Sequence, residues 1–156
     1  MTDDEYRYAE KVLYSYKRNV ETSERMSEEL RRLRASGDVH GQSYEQIARC
    51  GSGDPVARHV DEIMRLEARL KRILRRIKAV DEMRKDLREG NVITITKPKN
   101  LLLILDGYYI PCLTVNEFLS INCWSRSIFY IRRRELVMIS GEYLRDGYSP
   151  AGFVTL

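Results

Sequence analysis

Thr114-Val115-Asn116-Glu117-Phe118-Leu119, followed after a short break by Ser125-Arg126-Ser127-Ile128-Phe129-Tyr130-Ile131-Arg132-Arg133-Arg134, is the stretch on which the reading of this chain turns. The hexamer opens on Thr and carries Glu three residues later. This is the pattern of a capping box, in which each side chain satisfies a free backbone N–H at a helix start. The second segment is amphipathic at about 100° per residue. Trp124, Ile128, Ile131 and Ile139 fall on one side, and Arg126, Tyr130, Arg133 and Arg134 on the other. Consecutive arginines on such a helix are often no more than a solvated face. A short capped helix, a turn of about four residues and a longer basic helix together predict instead a helix-turn-helix with its basic side outward. Arg126, Tyr130, Arg133 and Arg134 are then the candidate DNA contacts, since Arg pairs bidentately with guanine or phosphate. Ser125 and Ser127 are candidate phosphate donors at the helix N-terminus.

Upstream, Val92-Ile93-Thr94-Ile95-Thr96 alternates β-branched residues but has no partner strand, so 91–98 reads as a linker that packs one face. Pro98 opens a helix over 99–106. Its Leu101, Leu102 and Leu105, with Tyr109, are expected to pack on Phe118, Leu119, Ile128 and Ile131, and Leu136 and Ile139 extend that core. Residues 99–140 thus form the expected helix-turn-helix domain, and 141–156, with Tyr143, Tyr148 and Phe153 around Gly147, Pro150 and Gly152, an irregular tail.

Residues 1–90 read as a long antiparallel helical hairpin, a coiled-coil-like arm. Leu13, Tyr16, Val20, Met26, Leu30 and Leu33 recur at mostly three- and four-residue steps and predict a helix over about 4–35. Ser36-Gly37-Asp38 offers a left-handed C-cap, the loop runs over 36–54, and 42–49 can make a turn of helix within it. Asp54-Pro55 supplies an N-cap and a first-turn proline for a second helix over 55–89. Val56, Val60, Ile63, Leu70, Ile73, Ile77 and Val80 form its stripe, interrupted by Glu67 and flanked by Leu66 and Leu74. The stripes can bury each other within one chain or against a second copy, and both arrangements stay open. The opposite face carries Arg65, Arg69, Lys71, Arg72, Arg75, Arg76 and Lys78, either a solvated surface, a second phosphate-contacting one or a polymerase-binding one.

The fold class expected is therefore all-α, a helical hairpin followed by a C-terminal helix-turn-helix. Over 156 residues with 43% hydrophobic content, the chain can bury a core. The net charge of +4 is uneven, with 9 basic and 11 acidic groups in 1–54, 11 and 7 in 55–90, and 7 and 5 in 91–156. This fits a local basic patch rather than a blanket of charge. Cys50, Cys112 and Cys123 lack CxxC spacing and lie far in sequence from His40 and His59, which argues against zinc. Cys123 beside Trp124 reads as a core thiol. The acidic start Met1-Thr2-Asp3-Asp4-Glu5 is unlike a signal peptide, and the apolar run 101–105 is too short to span a bilayer. A cytoplasmic protein without a membrane role is expected.

The layout resembles the RinA and ArpU type of phage late-gene transcriptional regulators, whose C-terminal unit resembles region 4 of sigma-70 factors. In that family a segment of the form Gly-Ser-Gly-x-Pro-Val-Ala precedes the second long helix, and this chain has Gly51-Ser52-Gly53-Asp54-Pro55-Val56-Ala57 there. An apolar helix with an aromatic-rich turn, a Thr/Ser-x-x-Glu helix and a Ser-led recognition helix follow, matched by 101–110, 114–119 and 125–136. The chain departs from the pattern at Leu119, at Asn122 in the turn, and at Tyr108-Tyr109. Arg132 and Glu135 fall towards the face assigned to the core, so they pair with each other or the helix docks at another rotation. The resemblance implies sequence-specific binding of double-stranded DNA in a bacterial host and activation of late genes through host RNA polymerase. Two half-sites would call for a homodimer.

No Gly-rich phosphate loop, HExxH or Cys/His pair is present, so neither an enzyme nor a cofactor is expected. Two alternatives stand beside the regulator. One is a small terminase-like packaging protein, in which the DNA-reading unit usually comes first. The other is a protein-interaction adaptor with a degenerate helix-turn-helix.

Overall fold

The computed structural model describes residues 1–40 and 55–145, and the described chain is entirely helical apart from its connections. Helix α1 spans Asp3–His40, α2 Pro55–Glu89, α3 Pro98–Ile104, α4 Val115–Asn122 and α5 Arg126–Leu144, with a π-helical turn at Leu105–Tyr109 directly after α3. Contacts divide the chain into two compact units: Met1–Arg18 with the chain from Arg76 onward, and Asn19–Arg75. The boundary passes through α1 and α2, not through the 91–98 connection. Asp54 and residues 42–49 lie outside the described residues.

In the Asn19–Arg75 unit, the later part of α1 meets the earlier part of α2. The Leu33 carbonyl lies 3.0 Å from His59 Nε2, and Arg34 Nη2 is 2.5 Å from Glu67 Oε1. Glu67, which interrupts the apolar stripe, is thus the acceptor of an inter-helix ion pair. Met26, Leu30, Leu70 and Ile73 are buried, together with Asn19 and Ser23, whose polarity hid them from a hydrophobic count. Ser23 Oγ donates to the Val20 carbonyl of its own helix at 2.8 Å, which lets a hydroxyl sit on the buried side. Two expectations are corrected here. Val60 is exposed despite lying on the heptad stripe, and α1 runs past Gly37 to His40 instead of ending in a left-handed cap. Glycine permits a helix end without requiring one.

The other unit holds the larger core. Ala9, Val12 and Leu13 of α1 and Val80, Met83 and Leu87 of α2 join Leu101, Ile104, Leu105, Tyr108, Tyr109, Phe118, Phe129, Leu136 and Val137 in one buried cluster. Each fully buried side chain of this size contributes about 1.5–3 kcal/mol through area removed from water. The π turn is marked by the Ile110 N–H, which donates to the Leu105 carbonyl at 3.1 Å, five residues back. Both Tyr108 and Tyr109, adjacent in sequence, are buried there. Gly107 sits in this turn where a Cβ would come within 3.3 Å of the Phe118 ring.

Local chemistry sets the connections. Helix α2 stops at Gly90, whose φ of +73° suits a residue without Cβ, and the Asn91 N–H donates to the Asp86 carbonyl at 2.9 Å to close a Schellman-type end. Pro98 occupies the first turn of α3. The segment between them alternates, with Val92, Thr94 and Thr96 half-buried and Ile93 and Ile95 exposed. The Glu135 carboxylate holds it, accepting from the Ile95 N–H at 2.6 Å and the Thr96 N–H at 3.1 Å. Helix α5 continues through residues 141–144, which corrects the expectation that the tail is irregular from 141 onward. Gly141 and Tyr143 are buried, and Tyr143 Oη donates to Asp86 Oδ2 at 2.7 Å. Tyr148 and Phe153 lie outside the described residues.

Candidate nucleic-acid interface

Helix α4 begins as its sequence dictates. Thr114 Oγ1 accepts the Glu117 N–H at 3.3 Å while Glu117 Oε2 accepts the Thr114 N–H at 2.8 Å, so two donors at the helix start are satisfied reciprocally. The hydrogen bond from the Thr114 hydroxyl, and then that from its backbone N–H, hold the Glu117 carboxyl below its ordinary value. The helix ends at Cys123, which takes the left-handed conformation with φ +53°. Asn122 stays helical, and its Nδ2 donates to the Phe118 carbonyl at 2.9 Å. Cys123 is an exposed free thiol, not the core thiol its Trp neighbour suggested.

Ser125 caps α5, its hydroxyl accepting the Ile128 N–H at 3.4 Å. Trp124 packs edge-on against Phe118 at 5.6 Å between centroids, and the Arg132 guanidinium lies 4.3 Å from the Trp124 ring centroid. Arg132 and Glu135 thus have separate partners, the indole and the 95–96 backbone. Of the two explanations for their position, a different rotation of α5 is the one observed.

That rotation corrects the expected faces. Phe129, Leu136, Val137 and Ser140 are buried, whereas Ile128 is 44% and Ile131 69% exposed. Phe129 stacks against Phe118 and Tyr108 with centroids 5.3 and 5.1 Å away. Aromatic contacts of this kind add about 0.5–1.5 kcal/mol each to simple burial, and the same arc buries Leu136 and Val137 as well. The cost is that Arg133 shares the inward arc.

Arg133 does not belong to the outward basic face. Its Nη2 forms an ion pair with Glu10 Oε1 of α1, and its Nε donates to Tyr109 Oη at 3.1 Å. Tyr14 Oη lies 3.5 Å from Nη2, and the rings of Tyr108 and Tyr130 flank the guanidinium at 5.9 and 5.8 Å. Burial pushes the Tyr109 hydroxyl well above the ordinary phenol range, with Arg133 opposing only in part, so Tyr109 stays protonated and Glu10 supplies the negative charge. Tyr14 and Tyr108 hydroxyls are 2.5 Å apart, and burial first, then this bond, raises Tyr108 too. Nothing in the local spacing of Arg132-Arg133-Arg134 separates the inward arginine from its neighbours. The signal lay 123 residues away, in Glu10.

What remains outward is a coherent row. Arg126, Tyr130 and Arg134, at i, i+4 and i+8, are exposed, with Ser127 and Ile131 beside them. Arg126 Nη2 donates to Asn116 Oδ1 of α4 at 2.8 Å, which ties the start of α5 to α4. Ser127 is exposed, while the Ser125 hydroxyl already serves the helix cap. Ile121 of α4 is 69% exposed, so apolar side chains accompany the charged ones.

Among the described residues, no group of three His, Cys, Asp or Glu side chains could hold a metal ion. No described helix is long and apolar enough to cross a membrane. No protein-family model, no curated protein and no solved structure matches this chain.

Proposed function

We propose that the protein is a sequence-specific DNA-binding transcriptional regulator in which α4, the turn at 123–125 and α5 act as a helix-turn-helix. The observation that supports it is the exposed row Arg126, Tyr130 and Arg134 on a Ser-capped helix that follows a short capped helix and a left-handed turn. The row extends about 12 Å along the helix axis, comparable with the major-groove width. Arg126 and Arg134 supply bidentate donors, Tyr130 a hydroxyl, Ser127 a phosphate contact near the helix N-terminus, and Ile131 an apolar contact for a thymine methyl. Arg133 acts by holding α5 in place.

The resemblance to RinA and ArpU type regulators gives this reading its setting: activation of phage or prophage late genes with host RNA polymerase, in the bacterial cytoplasm, with no catalytic step. Selection of bound duplexes from a genomic fragment library, followed by titration of the best fragment beside a scrambled control, tests it. Enrichment of one intergenic region with at least ten-fold preference supports the regulator. Equal weak binding of both duplexes overturns it.

A second reading, a protein-interaction adaptor, draws on the exposed Ile121, Ile128 and Ile131, because scattered apolar side chains on one small unit suit a protein surface. Loss of co-purification with RNA polymerase in Ile121→Ser/Ile131→Ser, with DNA selectivity unchanged, would favour it.

A further inference from the structure

Helix α2 carries Arg69, Lys71, Arg72, Arg75, Arg76 and Lys78 between Ala68 and Val80 and no acid in that interval. Within the Asn19–Arg75 unit, Arg65, Arg69, Lys71, Arg72 and Arg75 are all exposed. At about 100° per residue, Arg65, Arg69 and Arg72 share one row, with Lys71 and Arg75 in a second row beside it. Leu70 and Ile73 point the other way, into the unit's buried side.

A face that is merely solvated normally interleaves acids three or four residues away, as Lys78 does with Glu82 and Lys85 with Glu89. From Arg69 to Arg75 the helix itself places such an acid only beside Lys71, at Glu67, whose carboxylate is engaged by Arg34. Among the described residues no carboxylate lies within ion-pair distance of Arg65, Arg69, Lys71 or Arg72, although Arg65 and Arg69 line a cleft with Glu29, Asp61 and Glu62. Arg72 Nε reaches only the Ala68 carbonyl of its own helix, at 3.4 Å. Like charges four residues apart repel, so the arrangement lowers the stability of the free helix and is relieved by a polyanion.

Arginine predominates, and its planar fork matches phosphate oxygens. No aromatic residue occurs in the sequence from Arg65 to Arg75, so this stretch offers unpaired bases no stacking platform, which favours a paired duplex over single strands. The run from Arg65 to Arg75 extends about 15 Å, long enough to follow several successive phosphates.

We propose that this row of α2 is a sequence-independent contact surface for the phosphate backbone of duplex DNA. The site is separate from the α5 row and binds without reading bases, so it stands whether or not α5 selects a sequence.

The test uses the full chain and a random-sequence duplex titrated across salt concentrations. Arg69→Gln/Lys71→Gln/Arg72→Gln keeps good helix formers and removes three charges. Its slope of log affinity against log salt is expected to shrink by roughly 2–3, so that affinity lost between 50 and 200 mM salt is roughly 16–64-fold smaller than in the parent. Arg69→Lys/Arg72→Lys keeps the parent slope. In parallel, Arg126→Ala/Arg134→Ala removes preference for a selected fragment but leaves the effect of the α2 substitutions intact, which separates the two sites. An unchanged slope in the glutamine variant overturns the proposal. So does displacement of the duplex by polyglutamate at equal charge concentration, which would assign the face to an acidic protein. Should the triple variant lose helicity, Arg72→Gln alone is expected to reduce the slope by about 0.9.

Discussion

Arg133 of α5 and Glu10 of α1 form an ion pair whose side chains are only 19% and 22% exposed, and Tyr109 Oη accepts from the guanidinium Nε at 3.1 Å. The pair joins the start of the chain to the middle of the helix that carries the proposed reading row. Removing one member leaves the other charge poorly solvated. Arg133→Ala is therefore expected to lower unfolding free energy by about 2–4 kcal/mol, measured by urea denaturation. Glu10→Gln/Arg133→Met, which removes both charges, is expected to recover at least half of that loss.

Arg126 and Arg134 are exposed and carry no comparable structural role. Arg126→Ala/Arg134→Ala is expected to weaken binding to a selected duplex by about 2–4 kcal/mol, while the denaturation midpoint shifts far less than in Arg133→Ala because only the exposed Arg126–Asn116 hydrogen bond is lost. A midpoint shift as large as that of Arg133→Ala would show that the outward row, too, serves folding.

Cys123 occupies the left-handed region with φ +53° and is exposed. Side chains with a Cβ pay for that conformation and glycine does not, so Cys123→Gly is expected to raise stability by about 1 kcal/mol. Cys123→Val, β-branched, is expected to lower it, and thermal melting of the two variants gives the sign.

Thr114→Ala removes the cap of α4 and is expected to cost about 1 kcal/mol. The Glu117 carboxyl lies below its ordinary value because it is hydrogen-bonded to Thr114. A depressed carboxyl contributes stability above its unfolded value, and that contribution is lost as pH falls through the folded value. Glu117→Gln is expected to flatten the fall in stability below about pH 4.5, the ordinary value for this carboxyl. Denaturation at pH 6 and pH 3.5 compares the two proteins.

Tyr16 donates to Asp81 Oδ1 at 2.6 Å, and burial, then this bond, pushes its hydroxyl up to about 12 from 10.0. The folded state keeps the proton that the unfolded chain releases. Stability is thus fully present below pH 10.0 and declines as pH rises towards about 12. Tyr16→Phe is expected to reduce that alkaline decline, which Tyr108 and Tyr109, raised for the same reason of burial, continue to drive. An equal slope between pH 9 and pH 11 in both proteins would count against the Tyr16 contribution.

The sequence by itself determined the features that depend on neighbours along the chain. The all-helical class, the stop at Gly90, the start at Pro98, the Thr114–Glu117 box and the Ser125 cap all follow from backbone groups and side chains within a few residues of each other. Only the tertiary structure decided the rotation of α5. Two apolar arcs compete on that helix, Trp124–Ile128–Ile131 and Phe129–Leu136–Val137, and hydrophobic spacing ranks them almost equally. An arginine on the second arc counts against it until Glu10, Tyr14 and Tyr109 are brought beside it. Likewise Glu135 looked misplaced until the 95–96 backbone arrived to donate to it, and Glu67 until Arg34 did. A charged side chain's place is set by whether a partner exists in space, and no periodicity within its own helix carries that information.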